Sequence, residues 1–283
     1  RLGKLSSALR IADSHKDKFL AMVSHDMRTP LNAVIGYLGL LHDNKKLSEE
    51  SKDFVNSAQH AAAHLLTVIN DLLDFSQIRL GQLTLHPQVI NLPLVLRQTF
   101  QTLSNQAHEA QLDYQIDISP KVPTWVLLDQ NRLSQMLINL LGNALKFTPK
   151  GGRLQLRAYP WPDLCVLTPG NEPSSDSPSC DLTSPLPRIR IEIADSGCGI
   201  SDADQDCIFD RFYRVENAVH TEAGTGLGLS IVRGNLEKHG TQVRMASALG
   251  VGSTFWFDLP LENSDTDELR LLAERRRYDQ AEI

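Results

Sequence analysis

Two groups of side chains in this sequence are spaced to do chemistry. In "MVSHDMRTPLN", Met22 to Asn32, His25 is followed by Asp26, with Thr29 four residues on and Pro30 next. With an unperturbed pKa of about 6.5, an exposed imidazole is largely neutral near pH 7 and can act as a nucleophile through one ring nitrogen. A carboxylate beside it can take the proton or hold the tautomer, which makes Asp26 the candidate base. Arg28 reads equally well as a phosphate partner and as a solvated charge. The second group is dispersed. Asn139 and Asn143 in "NLLGNALKF" stand at i and i+4, with Lys146 three further on the same side. Two neutral amide oxygens on a helix can ligate a hard cation such as magnesium, and the lysine can meet phosphate. "DSGCGI" puts Asp195 at the end of a predicted strand, where a buried carboxylate can accept a hydrogen bond from an exocyclic amine. Gly197 and Gly199 would let the backbone pass close to a flat ring. "EAGTGLGLS" brings Gly224, Gly226 and Gly228 to a helix N-terminus, an anion site by its free N–H groups and dipole. "IFDRFYR" offers Phe209 and Phe212 as hydrophobic anchors, core residues in any reading, and "GVGSTFWF" supplies a turn before the last strands.

Each feature alone has a blander explanation: a surface amide for Asn139, a strand-end cap for Asp195, turns for the glycines. Their joint occurrence favours nucleotide chemistry. Other phosphate-binding devices fail, since no G-x-x-x-x-G-K-[ST] occurs and the G-x-G-x-x-G pattern of "GTGLGL" breaks at Leu229. Cys165, Cys180, Cys198 and Cys207 form no C-x-x-C pair and have no zinc spacing, which points to a reducing compartment rather than a disulfide framework. The 28 basic and 34 acidic residues, net charge −6, give no basic field for nucleic acid. No run of 18 apolar residues or signal peptide occurs, and residue 1 is Arg, so the sequence reads as a soluble piece of a longer chain, with membrane contact only through an upstream segment absent here.

The elements that must position these residues follow from periodicity. Leu2, Leu5, Leu9 and Ala12, then Phe19 to Leu41, carry a helical apolar rhythm, with Pro30 removing the N–H that would bond to the carbonyl of Asp26. That predicts one long helix to about Leu41, bent beside His25. "HDNKKLSEE" turns the chain, Ser48 is the expected N-cap, and Phe54 to Ile78 mark a second helix. A lone hairpin cannot bury so long a stripe, so a homodimeric four-helix bundle is expected. From Asn91 the pattern alternates: "LPLVLRQTFQTLSNQAHEAQ" as a helix, "LDYQIDI" as a strand, "NRLSQMLINLLGNALKF" as a helix, "GRLQLRAY" and "RIRIEIAD" as strands, "LSIVRGNLEKHG" as a helix, then "QVRMAS" and "STFWFDL". Strands that follow one another directly predict a mixed or antiparallel sheet with helices on one face. Residues 159–187 hold seven of the fourteen prolines and read as a surface insertion.

These motifs, in this order, resemble the N, G1, F, G2 and G3 boxes of the sensor histidine kinases of two-component signalling, and "FLAMVSHDMRTPLNAVIG" resembles their phosphoacceptor box. The resemblance covers about Lys16 to Pro260. It implies an α+β chain of two domains: a helical hairpin forming a dimeric four-helix bundle, then a Bergerat-type α/β sandwich that binds ATP. The expected boundaries are 1–14 for a signalling coiled coil, 15–82 for dimerisation and histidine phosphotransfer, 90–262 for the ATP-binding domain with its insertion at 159–187, and 263–283 for a charged tail. His25 would attack the γ-phosphorus of ATP, with Asp26 as base, and Thr29 would orient water for a reverse phosphatase reaction. Asn139 and Asn143 would hold magnesium, Lys146 the phosphates, and Asp195 the adenine amine. Gly197, Gly199, Gly224, Gly226 and Gly228 would shape the pocket, with Thr254 near the adenine. The implied partners are a second copy of the chain and the receiver-domain aspartate of a response regulator, with no nucleic acid, in the cytoplasm or on the cytoplasmic side of a membrane-bound sensor. Two rival readings are a kinase-inactive scaffold or phosphatase, and an ATPase clamp of the same superfamily. Gly234 and Asn235 depart from the family, which usually fills that helix with apolar residues, and "HGT" stands where HGG is common.

Overall fold

The structure, a computed structural model, describes residues 27, 31–32, 34–39, 41, 48–161, 188–214 and 225–260. The chain divides into two compact units, Arg1–Thr84 with Asn217–Ile231, and Leu85–Glu216 with Val232–Ile283. His25, Asp26, Thr29, Pro30, Gly224, most of the 159–187 insertion and the segments 1–14 and 263–283 lie outside the described residues.

In the first unit the described residues between 27 and 41 are helical, as the apolar rhythm requires. Helix α1, Glu49–Arg79, starts where expected: the Ser51 N–H donates to the Ser48 hydroxyl at 3.2 Å. It ends in a Schellman turn, with Gly81 at φ 68°, its N–H on the Ile78 carbonyl and the Gln82 N–H on the Gln77 carbonyl. One stripe of α1 is buried, through Ala62, Ile69 and Leu73, and Phe75 is buried on another face near the helix end. Phe75 packs against Leu227 and Ile231, flanked by Leu72 and Ile78. The segment carrying Gly226 and Gly228 therefore groups with the hairpin helix. Other apolar side chains stay open: Tyr37 is 67% exposed, Phe54 68% and Leu65 45%.

The second unit is a helix-on-sheet sandwich. Its elements are β1 (Gln88–Asn91), α2 (Leu92–Thr102), α3 (Ser104–Glu109), β2 (Asp113–Ile118), β3 (Trp125–Leu128), α4 (Gln130–Phe147), β4 (Arg153–Trp161), β5 (Arg188–Asp195), α5 (Asp202–Gln205), α6 (Gly228–Lys238, whose first turn belongs to the first unit), β6 (Val243–Ala248) and β7 (Gly252–Pro260). The five-stranded sheet runs β2-β4-β5-β7-β6, with β2 parallel to β4 and the other pairs antiparallel. That is the mixed sheet expected of strands that follow one another directly. Leu133, Met136, Leu137, Leu140, Leu141 and Ala144 of α4 are buried, as are the inward residues of the sheet, Leu154, Leu156, Ile189, Ile191, Ile193 and Phe257.

Three features differ from the periodicity reading. The four-residue strands β1 and β3 pair only with each other and were too short to show a period of two. The helix read from Leu92 to Gln111 is broken at Leu103, because the hydroxyls of Thr102 and Ser104 bond to the carbonyls of Thr99 and Gln101 at 2.7 and 2.8 Å and compete with the helical ladder. Tyr159, Pro160 and Trp161 belong to β4, with Trp161 opposite Arg188, so the strand extends into the proline-rich segment. On the sheet face opposite the core, Arg190 meets Asp258 directly across β5 and β7, with Nε–Oδ1 2.7 Å and Nη2–Oδ2 2.9 Å, under the Trp161 ring at 3.8 Å.

Candidate functional site

Helix α4 carries one wall of the site in the second unit. It starts at Asp129, whose carboxylate accepts the Arg132 N–H at 3.1 Å and the His86 N–H at 2.9 Å. Once the buried stripe faces the sheet, Asn139, Asn143 and Lys146 fall on one flank, within about 60° of each other around the axis. All three are partly exposed, and the Lys146 ammonium lies 5.4 Å from the Phe147 ring.

Asp195 ends β5. One of its oxygens, Oδ1, accepts the N–H of Gly197 at 2.8 Å and the N–H of Ser253 at 3.2 Å. Burial pushes its pKa up, while these two N–H bonds pull it down. Both backbone donors bond to Oδ1, and among the described residues no donor bonds to the second oxygen.

Among the described residues, the group that most closely approaches Gly197, Gly199 and Gly252 is backbone. A Cβ on Gly197 would stand 2.6 Å from the Phe147 carbonyl oxygen and 2.7 Å from Asp195 Oδ1. On Gly199, at φ 69°, it would stand 2.0 Å from the Ala248 carbonyl oxygen, and on Gly252, at φ 134°, 2.1 Å from that of Asp195. What these glycines admit is the backbone of their own domain. They press the turn after β5 against the end of α4, where the Cys198 N–H donates to the Phe147 carbonyl at 3.2 Å, and against β6 and β7. The carboxylate of Asp195 and the Asn143–Lys146 flank are thereby tied to one rigid frame.

Gly226, at φ 67°, lies between Thr225 and the start of α6, and Gly228 opens that helix, both in the first unit. Thr225 bonds to Asp71 of α1 at 3.3 Å, and its hydroxyl oxygen accepts the Leu227 N–H at 3.2 Å. Thr254 alternates with Ser253 along β7 and so lies on the other face of the strand from the residue that bonds to Asp195. Of the two anchoring phenylalanines, Phe209 packs edge-on against Phe255 with centroids 6.4 Å apart. Phe212 is instead 60% exposed at φ 59°, so it is not a core residue. Among the described residues no group of three or more His, Cys, Asp or Glu could hold a metal ion. The amide pair Asn139 and Asn143 offers two neutral oxygens of the hard type that magnesium accepts, with the remaining positions left to water and phosphates.

Comparison with known proteins matches this arrangement twice along the chain. Residues 15–81 match the His Kinase A (phospho-acceptor) domain, and residues 128–263 match the histidine kinase-, DNA gyrase B-, and HSP90-like ATPase family. The chain belongs to the sensor histidine kinases. Drug sensory protein A of Synechocystis is 38% identical over 251 residues, 88% of this chain and 35% of that protein. The signal transduction histidine-protein kinase BarA of Escherichia coli K12 is 33% identical over 87% of this chain and 25% of its own length. Full-length ShkA, solved in complex with AMPPNP, superposes with a TM-score of 0.65 at 30% identity, over 88% of this chain and 47% of that one. This histidine kinase chain thus spans about a third or less of those two curated relatives. No described helix is long and apolar enough to cross a membrane.

The sequence reading of the kinase site missed Gly252, Ser253 and Ser247. Gly252 and Ser253 sit within the quoted "GVGSTFWF", but only the register of β7 against β5 shows that they reach Asp195. Ser247 had no signal at all. Its hydroxyl accepts the Ile200 N–H at 2.8 Å, and Ser247 stands directly opposite Ser253. At the departure noted in the glycine-box helix, Gly234 and Asn235 are both buried, and the Asn235 carboxamide has no hydrogen-bond partner among the described residues.

Proposed function

We propose that this chain is the catalytic portion of an ATP-dependent protein histidine kinase that phosphorylates its own His25 within a homodimer. The observation that carries the reading is Asp195: a carboxylate fixed through one oxygen by two backbone donors, beside a helix flank with two amides and a lysine. ATP supplies the γ-phosphoryl group. Asp195 Oδ2 accepts from the adenine amine, Asn139 and Asn143 offer amide oxygens to magnesium, and Lys146 neutralises phosphate charge. For a phosphoryl transfer, positioning and charge neutralisation supply most of the catalysis. His25 attacks the γ-phosphorus through one ring nitrogen, so that the N–P bond forms as the bond to the β,γ-bridging oxygen breaks and ADP leaves. Asp26 takes the imidazole proton, and the phosphohistidine then passes the phosphoryl group to a receiver-domain aspartate of a response regulator. Thr29 serves the reverse, phosphatase reaction by orienting water.

Support for the homodimer comes from the first unit, where Met27, Val34, Tyr37, Leu41, Phe54 and Leu65 expose apolar surface that a second hairpin would cover. A cytoplasmic placement fits the ATP requirement.

The experiment is acid-labile, alkali-stable phosphate incorporation from labelled ATP by the wild-type protein and His25→Gln. Labelling of wild type alone is expected. Equal labelling of both, or none with either in the presence of magnesium, overturns the assignment.

A further inference from the structure

We infer that Ser247 is a positioning residue for nucleotide-base recognition: its hydroxyl clamps the two backbone limbs that hold Asp195. The inference rests on the reading of Asp195 as the group that accepts the adenine amine.

Asp195 Oδ1 takes one N–H from each of two limbs. Gly197 contributes the first, in the turn after β5, and Ser253 the second, at the start of β7. Ser247 of β6 touches both limbs. The Ile200 N–H, three residues beyond Gly197, donates to the Ser247 hydroxyl at 2.8 Å. That hydroxyl donates to the Gly252 carbonyl at 2.9 Å and lies 2.9 Å from the Ser253 hydroxyl. One proton and two lone pairs satisfy all three contacts together: Ile200 N–H and Ser253 O–H donate to Ser247, and Ser247 donates to Gly252.

The Gly252 carbonyl and the Ser253 N–H belong to one planar peptide, and in a trans peptide they point in opposite directions. The Gly252–Ser253 peptide is therefore held at both ends, its oxygen by Ser247 and its N–H by Asp195. At φ 134° Gly252 has a conformation that few residues adopt, so this peptide depends on such bonds for its orientation. Gln205 closes the same ring from outside, its Nε2 donating to the carbonyls of Ile200 and Ser247, each at 3.1 Å. Removing the Ser247 hydroxyl frees the carbonyl of the peptide that donates to Asp195 and the turn that carries its other donor. The carboxylate then loses its fixed aim while the α4 flank, which meets the phosphates, is untouched. The effect must fall on the base and not on the triphosphate.

The test compares the full chain's affinity for ATP with that for purine riboside 5′-triphosphate, which lacks only the exocyclic amine. In Ser247→Ala the preference for ATP is expected to fall about tenfold, equivalent to about 1.4 kcal/mol, with affinity for the deamino analogue within about twofold of wild type. Ser247→Thr, which keeps a hydroxyl, should restore the preference. Should Ser247→Ala not fold, Ser247→Thr and Ser247→Val, which differ only in hydroxyl against methyl, carry the same comparison. Equal loss for both nucleotides means a merely structural role and overturns the inference, as does an unchanged preference or a failure of Thr to outperform Val. Asp195→Ala separates the two claims: if it abolishes the preference and Ser247→Ala does not, positioning by Ser247 is wrong. If Asp195→Ala keeps the preference, the adenine reading itself is wrong.

Discussion

Replacing Asp258 by Ala should destabilise the second unit severely, and the cost can be worked from the geometry of its partner. Arg190 and Asp258 are bonded twice, at 2.7 and 2.9 Å, and their side chains are only 7% and 9% exposed. Removing one member of a buried pair leaves the other charge unpaired in a low dielectric, at about 3–5 kcal/mol. The Trp161 ring, 3.8 Å from the guanidinium, offsets part of this by a cation–π contact of about 1 kcal/mol. The expected loss is therefore near the lower end, about 3 kcal/mol, or about 6–12 °C in Tm for a unit of this size. The assay is direct, because all three tryptophans of the sequence, Trp125, Trp161 and Trp256, belong to the second unit, so tryptophan fluorescence follows its unfolding alone. The double variant Arg190→Met with Asp258→Leu removes both charges and should return to within about 1 kcal/mol of wild type. A loss below about 1 kcal/mol for Asp258→Ala, or a double variant as unstable as the single one, would refute the reasoning.

Two further predictions use local geometry. Gly199→Ala should cost more than Gly250→Ala, because both sit at positive φ but only the Gly199 Cβ would collide with backbone, 2.0 Å from the Ala248 carbonyl oxygen. The Gly250 change should cost about 1–2 kcal/mol for the left-handed backbone alone, and equal midpoints in urea would contradict this. Asp71 has its pKa raised to about 6 by desolvation, with Asp74 adding to the rise and the Thr225 hydroxyl opposing it. Its folded pKa exceeds the unfolded value, so its contribution to stability is present below about pH 4 and is lost as pH rises through 6. Asp71→Asn should then stabilise the first unit at pH 7.5 by about 1 kcal/mol, the full conversion being reduced by solvent screening, and change little at pH 3.5. NMR titration of the Asp71 carboxyl in Thr225→Val should show a still higher midpoint; a lower one would contradict the assignment of the Thr225 bond.

What the sequence revealed and what it hid separate along a physical line. Asn143 and Lys146 were legible because a helix converts spacing into a shared flank, whatever the rest of the chain does. Ser48 was legible as a cap for the same reason: its partner, Ser51, is three residues away. Strand β5 was legible because Ile189, Ile191 and Ile193 alternate with Arg190 and Glu192, although the alternation did not show that the polar residues would be buried too. That required register, which sets Arg190 against Asp258 and Glu192 against Arg157 of the neighbouring strand. Phe212 was misread as core because an aromatic at helical spacing from Phe209 carries no sign of the positive φ that turns it outward.

The same line runs through the site. Asp195 could be singled out as a carboxylate at a strand end, but its second donor lies 58 residues away and its clamp, Ser247, stands on a third strand. Neither serine has a local pattern of its own, since each acts only after β5, β7 and β6 have been laid side by side. The glycines were legible from their spacing, but their neighbours were not. Their spacing signalled close approach, and the approaching group proved to be the domain's own backbone at Phe147, Ala248 and Asp195. A glycine that admits backbone in this way would serve the proposed recognition by stiffening the frame that holds one carboxylate. It follows that substitutions at Gly199 and Ser247 should converge on the same symptom, a loss of base discrimination with phosphate contacts intact, although one acts by collision and the other by a missing hydrogen bond.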